Sequence, residues 1–593
     1  MEEVINGAMR ERREINGRDL WAYAVDTFQR SVLFIDVLRM RGNIYHQHLD
    51  ANQPPVLHFP YEKIADGHDL DTPVNYSLFR ILDRRKKERN PPRQDQRKKS
   101  SGNGKEKAPV VIIDPRAGHG PGIGGIKEDS EIGVAISAGH PVYGIFFSSD
   151  PVEGQTITHV EEAEIHFLEM IMNFHPQGGR PIIVGNCQGG WAAAILAADR
   201  PDLAGVLLIN GTPLSYWAGP AGKSPMRYRG GMAGGLWLAS FLTDLGDGLM
   251  DGAILVANME DLNPAHTIWK KQYNLYDRID TEISRYLTFE RWWGGFFPLT
   301  QQESRFIVRD LFVGNKLERG ELSLDNGRGI DLKNISAPVI LFASMGDNIT
   351  PPQQALNWIT KVYQSEKEII RRKQRIVYIL HDSIGHLGIF VSSDVARNEH
   401  RAIIENIEAF QELNPGLYEL IVDKEAMAAK TKSNAIRFEK RTLDDIRNID
   451  GGSHYESFFP EVARLSDYYD RQYRMFFRPW VRLSVAPWMA EVNRQAHPLR
   501  WSRYLFSDLN PFLLSVGPSA EWVRGHRQEE SQENPYRAAE NHFADHVAAS
   551  LDLFRDVRDA TQEYAFKAIF GNPWLKWGAQ LCNSISEPDA DEA

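Results

Sequence analysis

The stretch IIVGNCQGGWAAA, residues 182–194, reads as an apolar strand, then the turn Gly185-Asn186-Cys187-Gln188-Gly189-Gly190, then a helix-favouring alanine run. A chain that passes this sharply from strand to helix holds the tip residue in a strained backbone conformation at the sheet edge. Small neighbours are needed, because larger side chains would collide there. The tip residue is a cysteine, one of only two in 593 residues. The N-terminus of the following helix favours a thiolate and offers N–H donors to an oxyanion. Cys187 is therefore the candidate nucleophile, with Gly185, Gly189 and Gly190 as the glycines of its elbow. The alternative is a free buried cysteine in a glycine turn.

Around this turn, six runs read as strands buried on both faces: 109–114, 141–147, 181–185, 205–210, 338–343 and 375–380. They are nearly continuous in apolar residues, and helical segments at 159–174 and 189–200 separate several of them. Alternation of this kind predicts a parallel sheet covered by helices. The expected organisation is an N-terminal helical region (1–83), a basic linker (84–108) and a first core segment (109–210). An inserted cap (211–337), a second core segment (338–410), a C-terminal helical region (411–585) and an acidic tail (586–593) follow. Trp21, Val25, Phe28, Val32 and Ile35 recur at helical spacing. They predict either a packed helix face or a surface that docks a hydrophobic partner. The 84–107 segment has no hydrophobic pattern, which predicts a solvated linker, with anion binding as the alternative.

Composition excludes several classes. With 42% hydrophobic and 25% charged residues, the chain is globular, and a net charge of −11 gives no support for nucleic-acid binding. Cys187 and Cys582 cannot form a disulfide framework and fit a reducing compartment. No run approaches a transmembrane span, and the acidic start MEEV does not read as a signal peptide. A cytoplasmic protein is expected.

An elbow nucleophile needs a base and a group to orient it, and in this architecture they follow in the order nucleophile, acid, histidine. Asp347 lies just beyond the run 338–343, and His386 lies in a glycine-rich loop after 375–380. His381 and Asp382 are the rivals. The backbone N–H of Gln188 is the first candidate oxyanion donor. The Ala117–Gly118 region of the loop DPRAGHGPGIGG (114–125) is the second. That loop lacks the G-x-x-x-x-G-K-[ST] pattern of a phosphate loop. His119 reads as structural or substrate-positioning. No metal site is expected.

The G-x-C-x-G-G elbow, the Asp of GDNITPP and the His of GHLG resemble those of the poly(3-hydroxyalkanoate) synthases. The likeness extends to GHPVYGIFFSSDP (139–151), NGTPLSYWAGP (210–220), NMEDLNPAHTIWKKQYNLYDRID (258–280) and FVGNKLERGEL (312–322). It covers roughly 105–410. Trp191, the basic 84–107 stretch and the long C-terminal region depart from it. The resemblance implies an α/β-hydrolase fold with an inserted cap or lid and extra N- and C-terminal helical regions. It implies a Cys-His-Asp triad acting on 3-hydroxyacyl-CoA, with coenzyme A thioester as substrate and no cofactor. A polyester granule surface is the partner it suggests, and a homodimer is left open. A thioesterase or depolymerase on the same triad, and a catalytically weak granule- or partner-binding protein, are the alternatives. The cap aromatics Trp217, Trp237, Trp269, Trp292, Trp293, Phe296 and Phe297 are read either as a hydrophobic lid or as the cap's own core.

Overall fold

The computed structural model describes residues 17–83, 106–222, 224–424, 436–449 and 455–575. Residues 84–105, Cys582 and the acidic tail lie outside them. The chain divides into two compact units.

The larger unit comprises Asn52–Val256, Gly295–Arg494 and Asp559–Ala593. Its centre is a ten-stranded sheet. The strands are β1 (Tyr61–Asp66), β2 (Tyr76–Ile81), β3 (Val110–Ile113), β4 (Val142–Phe147) and β5 (Ile182–Asn186). They continue with β6 (Val206–Asn210), β7 (Val339–Ser344), β8 (Arg375–His381), β9 (Gly416–Val422) and β10 (Ile436–Lys440). Their spatial order is β1-β2-β4-β3-β5-β6-β7-β8-β9-β10. Strands β3 to β9 run parallel, while β1, β2 and β10 pair antiparallel at the two edges. This is the α/β-hydrolase arrangement, with β5 at its centre.

The helices used below are α1 (Gly17–Asp50), α2 (Glu131–Ser137), α3 (Ile157–Phe174), α4 (Gln188–Asp199), α5 (His386–Val391), α6 (Arg478–Ser484), α7 (Pro487–Gln495) and α8 (Pro535–Phe570). Residues of β3, β5, β6 and β7 join Val160, Phe167 and Leu168 of α3 and Ala193–Leu196 of α4 in one buried core. The central strands show almost no exposed residue, as their apolar runs predict.

Several expectations need correction. The 1–83 region is not wholly helical, because β1 and β2 form one edge of the sheet. The burial of β1 is broken by exposed Glu62 and Lys63, so an edge strand carries a weak apolar signal. The 411–585 region likewise begins with β9 and β10, and β9 pairs parallel to β8 after a helix at Ile407–Glu412. The 211–337 insertion is not one piece, since Ala257–Gly294 belongs to the smaller unit. Of the seven candidate lid aromatics, Trp217, Trp292, Trp293, Phe296 and Phe297 are buried, whereas Trp237 and Trp269 are half-buried. The Trp217 N–H donates to the Val313 carbonyl and the ring stacks on Phe459, while Phe297 packs edge-on to Phe147. Trp292 and Trp293 are buried within the smaller unit.

That smaller unit comprises Met1–Ala51, Ala257–Gly294 and Gln495–Arg558. Helix α1 forms as its periodicity predicts, but the expected face turns inward only in part: Val25 and Val32 are half-buried, with Val32 packed against the cluster that includes Leu33, Val37 and Leu38. Trp21, Phe28 and Ile35 are exposed, whereas Asp26 and Arg30 are buried. Arg30 pairs with Asp26 at 2.7 Å and with Glu540 of α8 at 2.8 Å. Arg537 adds a second bond to Asp26 at 2.8 Å. The inward face therefore carries mutually satisfied charged groups beside Leu33, Val37 and Leu38, which apolar spacing alone does not show.

Candidate active site

The elbow is built as its sequence requires. Cys187 sits between β5 and α4 with φ 50° and ψ −121°, a conformation rare for any residue with a side chain. The surrounding backbone fixes it. The Cys187 N–H donates to the Asn210 carbonyl at 2.9 Å, and the Thr212 hydroxyl donates to the Cys187 carbonyl at 2.7 Å. A Cβ on Gly185 would overlap Gly190, one on Gly189 would overlap the Ile113 carbonyl, and one on Gly190 would overlap Thr212. These close approaches leave no room for anything but glycine.

Three side chains meet at this turn. His386, the first residue of α5, has its Nε2 3.2 Å from Cys187 Sγ. Its Nδ1 lies 2.7 Å from Asp347 Oδ2. Asp347 follows β7 and is anchored through Oδ1, which accepts the N–H groups of Ile349 at 2.9 Å and Thr350 at 2.8 Å. All three groups are buried, and Cys187 is 6% exposed. The rivals are elsewhere. His381 Nδ1 accepts the N–H groups of Ser383 and Ile384, both at 3.2 Å, and its Nε2 faces Glu399 and Lys424. Asp382 is exposed.

Burial alone would lower the His386 pKa. The Asp347 carboxylate and then Cys187 outweigh it, and the net result is a rise to about 10. The imidazolium form of His386 is thus favoured. His119, also buried, moves the other way. Loss of solvation lowers it to about 4, against the Gly120 carbonyl that its Nδ1 meets at 2.8 Å. It is a neutral imidazole at physiological pH.

The 114–118 loop starts in contact with the elbow, since Gly189 abuts the Ile113 carbonyl and the Asp114 backbone. Ala117 is buried, and Gly118 has φ 90° and lies against Gly252, where a side chain would not fit. The Gly118 carbonyl accepts the Phe297 N–H at 2.9 Å. Gln188 opens α4, which directs its N–H toward the start of the helix.

Sequence reasoning did not single out two polar groups behind the elbow. Glu131 of α2 is buried and accepts the side-chain amides of Asn186 at 2.8 Å and Asn210 at 2.9 Å. Asn186 precedes Cys187 and Asn210 supplies its backbone acceptor, so this carboxylate braces the turn from below. The signal was available: an asparagine ends each of two adjacent apolar strands. The second group surrounds a cleft between α3 and α4, lined by Asp114, Arg116, Glu161, Glu164 and Trp191. Burial raises Asp114 and Glu164 to about 8 and Glu161 to about 7. Trp191, the departure from the family pattern, is buried there. Among the described residues, no group of three or more His, Cys, Asp or Glu side chains could hold a metal ion.

A raised histidine pKa makes stability depend on pH in a fixed direction. The folded state holds the His386 proton more tightly than the unfolded chain does. Its contribution is full below about 6.5, the unfolded value, and is lost as pH rises toward about 10. In a Cys187→Ala background, which removes the thiol's own titration, His386→Gln is expected to lower the melting temperature most at pH 6. The deficit should shrink by pH 9. Calorimetry at the two pH values checks this, and a deficit that grows with pH contradicts the charge assignment.

The strand order and the elbow define an α/β-hydrolase-fold protein with cysteine in the nucleophile position. The chain belongs to the family described as "Protein of unknown function (DUF3141)", which matches residues 26–591. It is 46% identical over 586 residues to the "Uncharacterized protein in ackA 5'region" of Rhizobium meliloti, covering 97% of this chain and 78% of that one. It is also 26% identical over 229 residues to the poly(3-hydroxyalkanoate) polymerase subunit PhaC of Thiocystis violacea. That match spans 37% of this chain and 58% of the polymerase subunit. The resemblance to the polyhydroxyalkanoate synthases is therefore a distant relationship confined to part of the chain. Among solved structures, the monoacylglycerol lipase of Paleococcus ferrophilus matches with 17% identity and a TM-score of 0.32, over 52% of this chain and 98% of the lipase. The fold assignment rests on the strand order itself. Among the described residues, no helix is long and apolar enough to cross a membrane.

Proposed function

We propose that this protein is an enzyme of the acyl-transferring or hydrolase kind. More specifically, we propose that it is a polyhydroxyalkanoate-synthase-like acyltransferase acting on 3-hydroxyacyl-CoA thioesters through Cys187, His386 and Asp347. The observation that carries this reading is the chain of contacts from Cys187 Sγ through His386 to Asp347, at 3.2 and 2.7 Å. In the proposed reaction the Cys187 thiolate attacks the thioester carbonyl. The N–H groups of Gln188 and of the Ala117–Gly118 region stabilise the oxyanion. The coenzyme A thiolate leaves with the proton from His386. His386 then takes the proton of an incoming 3-hydroxyl, which attacks the acyl-cysteine and releases Cys187.

The choice of thiol supports transfer over hydrolysis. A cysteine exchanges one thioester for another, a step close to level in free energy, and keeps the acyl group activated. A serine would drop it to an oxyester. The second reading is a thioesterase or depolymerase on the same groups. Purified protein with 3-hydroxybutyryl-CoA, followed for coenzyme A release and for the acyl product, separates the two. Oligomeric ester is expected. Free 3-hydroxybutyrate as the sole product overturns the synthase reading in favour of the hydrolase.

A further inference from the structure

Residues 473–494 of the larger unit carry a surface that the acyl chemistry does not use. A π-helical turn, Tyr473–Phe477, leads into α6 and then α7. Helix α6 has no buried residue, and α7 buries only Ala490. Met475, Phe476, Phe477, Trp480, Leu483 and Trp488 all face solvent, with Trp480 73%, Leu483 82% and Trp488 69% exposed. Globular surfaces seldom expose so many large apolar side chains in one stretch unless something covers them.

Basic residues dominate the segment, and its one carboxylate, Glu491, is paired with Arg494 at 2.9 Å. From Arg471 to Ala490 there are four arginines and no aspartate or glutamate, in a chain of net charge −11. Arg474 and Arg478 point back at the body, where they meet Asp470 at 3.1 Å and Asp244 at 3.3 Å. They tether the segment with its aromatic side outward. Arg482 is exposed beside that side and has no carboxylate partner among the described residues, while Arg471 interacts with Asp467. A helix tethered by its polar face, with Trp, Phe and Leu outward and arginine at the margin, has the make-up of an element that lies in a membrane interface.

We infer that residues 475–492 dock this protein on an anionic phospholipid bilayer, with Trp480, Leu483 and Trp488 entering the headgroup–acyl boundary. A second copy of the chain fits less well. A two-fold contact would set this patch against itself and bring like-charged arginines together. A peptide partner would need a groove with pockets, whereas α6 and α7 bury almost nothing and project their side chains outward. The inference is independent of the reaction at Cys187.

The test is co-sedimentation of the full-length protein with extruded vesicles. Binding is expected to vesicles of phosphatidylcholine with phosphatidylglycerol, and roughly fivefold more weakly to phosphatidylcholine alone, the scale of one unpaired arginine, Arg482, near the surface. Trp480→Ser with Trp488→Ser should remove binding to both. Arg482→Glu, at an exposed position where misfolding is not expected, should weaken binding to the anionic vesicles alone. Circular dichroism and the thermal transition confirm that each variant is folded. No sedimentation of wild-type protein with anionic vesicles overturns the inference, as does sedimentation unchanged in both variants. Light scattering that shows a dimer dissolved by the Trp480 and Trp488 substitutions assigns the face to a second copy and overturns it equally.

Discussion

Replacement of Cys187 by alanine is expected to abolish acyl-enzyme formation and to cut coenzyme A release by roughly 10⁴-fold or more, the scale on which loss of an enzyme nucleophile is felt. Mass spectrometry after mixing with 3-hydroxybutyryl-CoA should place the acyl mass of the wild type on the peptide containing Cys187 and show none in the variant. The expectation rests on position as well as chemistry. The Cys187 backbone is held at φ 50° by bonds to Asn210 and Thr212, so the side chain has one place to go, and His386 is there at 3.2 Å. Alanine retains the Cβ and removes only the sulfur, and a thermal transition matching the wild type's excludes a fold defect as the cause of the loss. Cys187→Ser retains a nucleophilic atom, yet a serine hydroxyl has no accessible anion at neutral pH and would yield a less activated ester. It should fall well below wild type and shift any residual product toward free acid. An adduct on Cys582, or coenzyme A release that survives in Cys187→Ala, would remove the elbow from the mechanism.

How much of this could be read from sequence depended on whether local pattern or distant partners decided the outcome. The central strands were legible because burial on both faces forces an unbroken apolar run. The run expected at 181–185 is the strand Ile182–Asn186, and that at 375–380 is Arg375–His381. The elbow was legible for a steric reason, since Gly185, Gly189 and Gly190 each meet backbone or Thr212 at distances no Cβ tolerates. The edge strands were not. In β1 the exposed Glu62 and Lys63 hide the pattern, and β10 is only partly buried. Helix α1 shows a different failure. Its period is visible, but the inward side also carries Asp26 and Arg30, whose partners Glu540 and Arg537 lie about 500 residues away and cannot be inferred from spacing. Glu131 was missed for the same reason, because its role depends on the two asparagines it meets across the sheet. The cap aromatics left two readings open, a lid or the cap's own core, and the hydrogen bonds and ring contacts of Trp217, Trp293 and Phe297 favour the second.

His386→Ala is expected to lower the rate of coenzyme A release by roughly 10²–10⁴-fold, the range for a positioned general base, while His381→Ala should change it little. The two histidines are five residues apart at the end of β8, so the pair tests the site against its nearest imitation. His386 spends both ring nitrogens on the proposed reaction, one toward Cys187 Sγ and one on Asp347. His381 commits Nδ1 to two backbone N–H groups of the loop that carries His386. Its removal can shift that loop, and a modest loss with an altered KM would report such a shift. Asp347→Asn supplies the third measurement. The carboxylate is the largest of the groups that raise His386 against its own burial, so an amide there should weaken the imidazole's hold on its proton. Activity in this variant should fall by at least tenfold at pH 7 and recover in part at higher pH, where the thiol ionises without help. A variant that loses activity equally at all pH values points to loss of imidazole orientation as the main role of Asp347. Equal losses in His386→Ala and His381→Ala, with both proteins folded, would show that the base had been assigned to the wrong end of the loop.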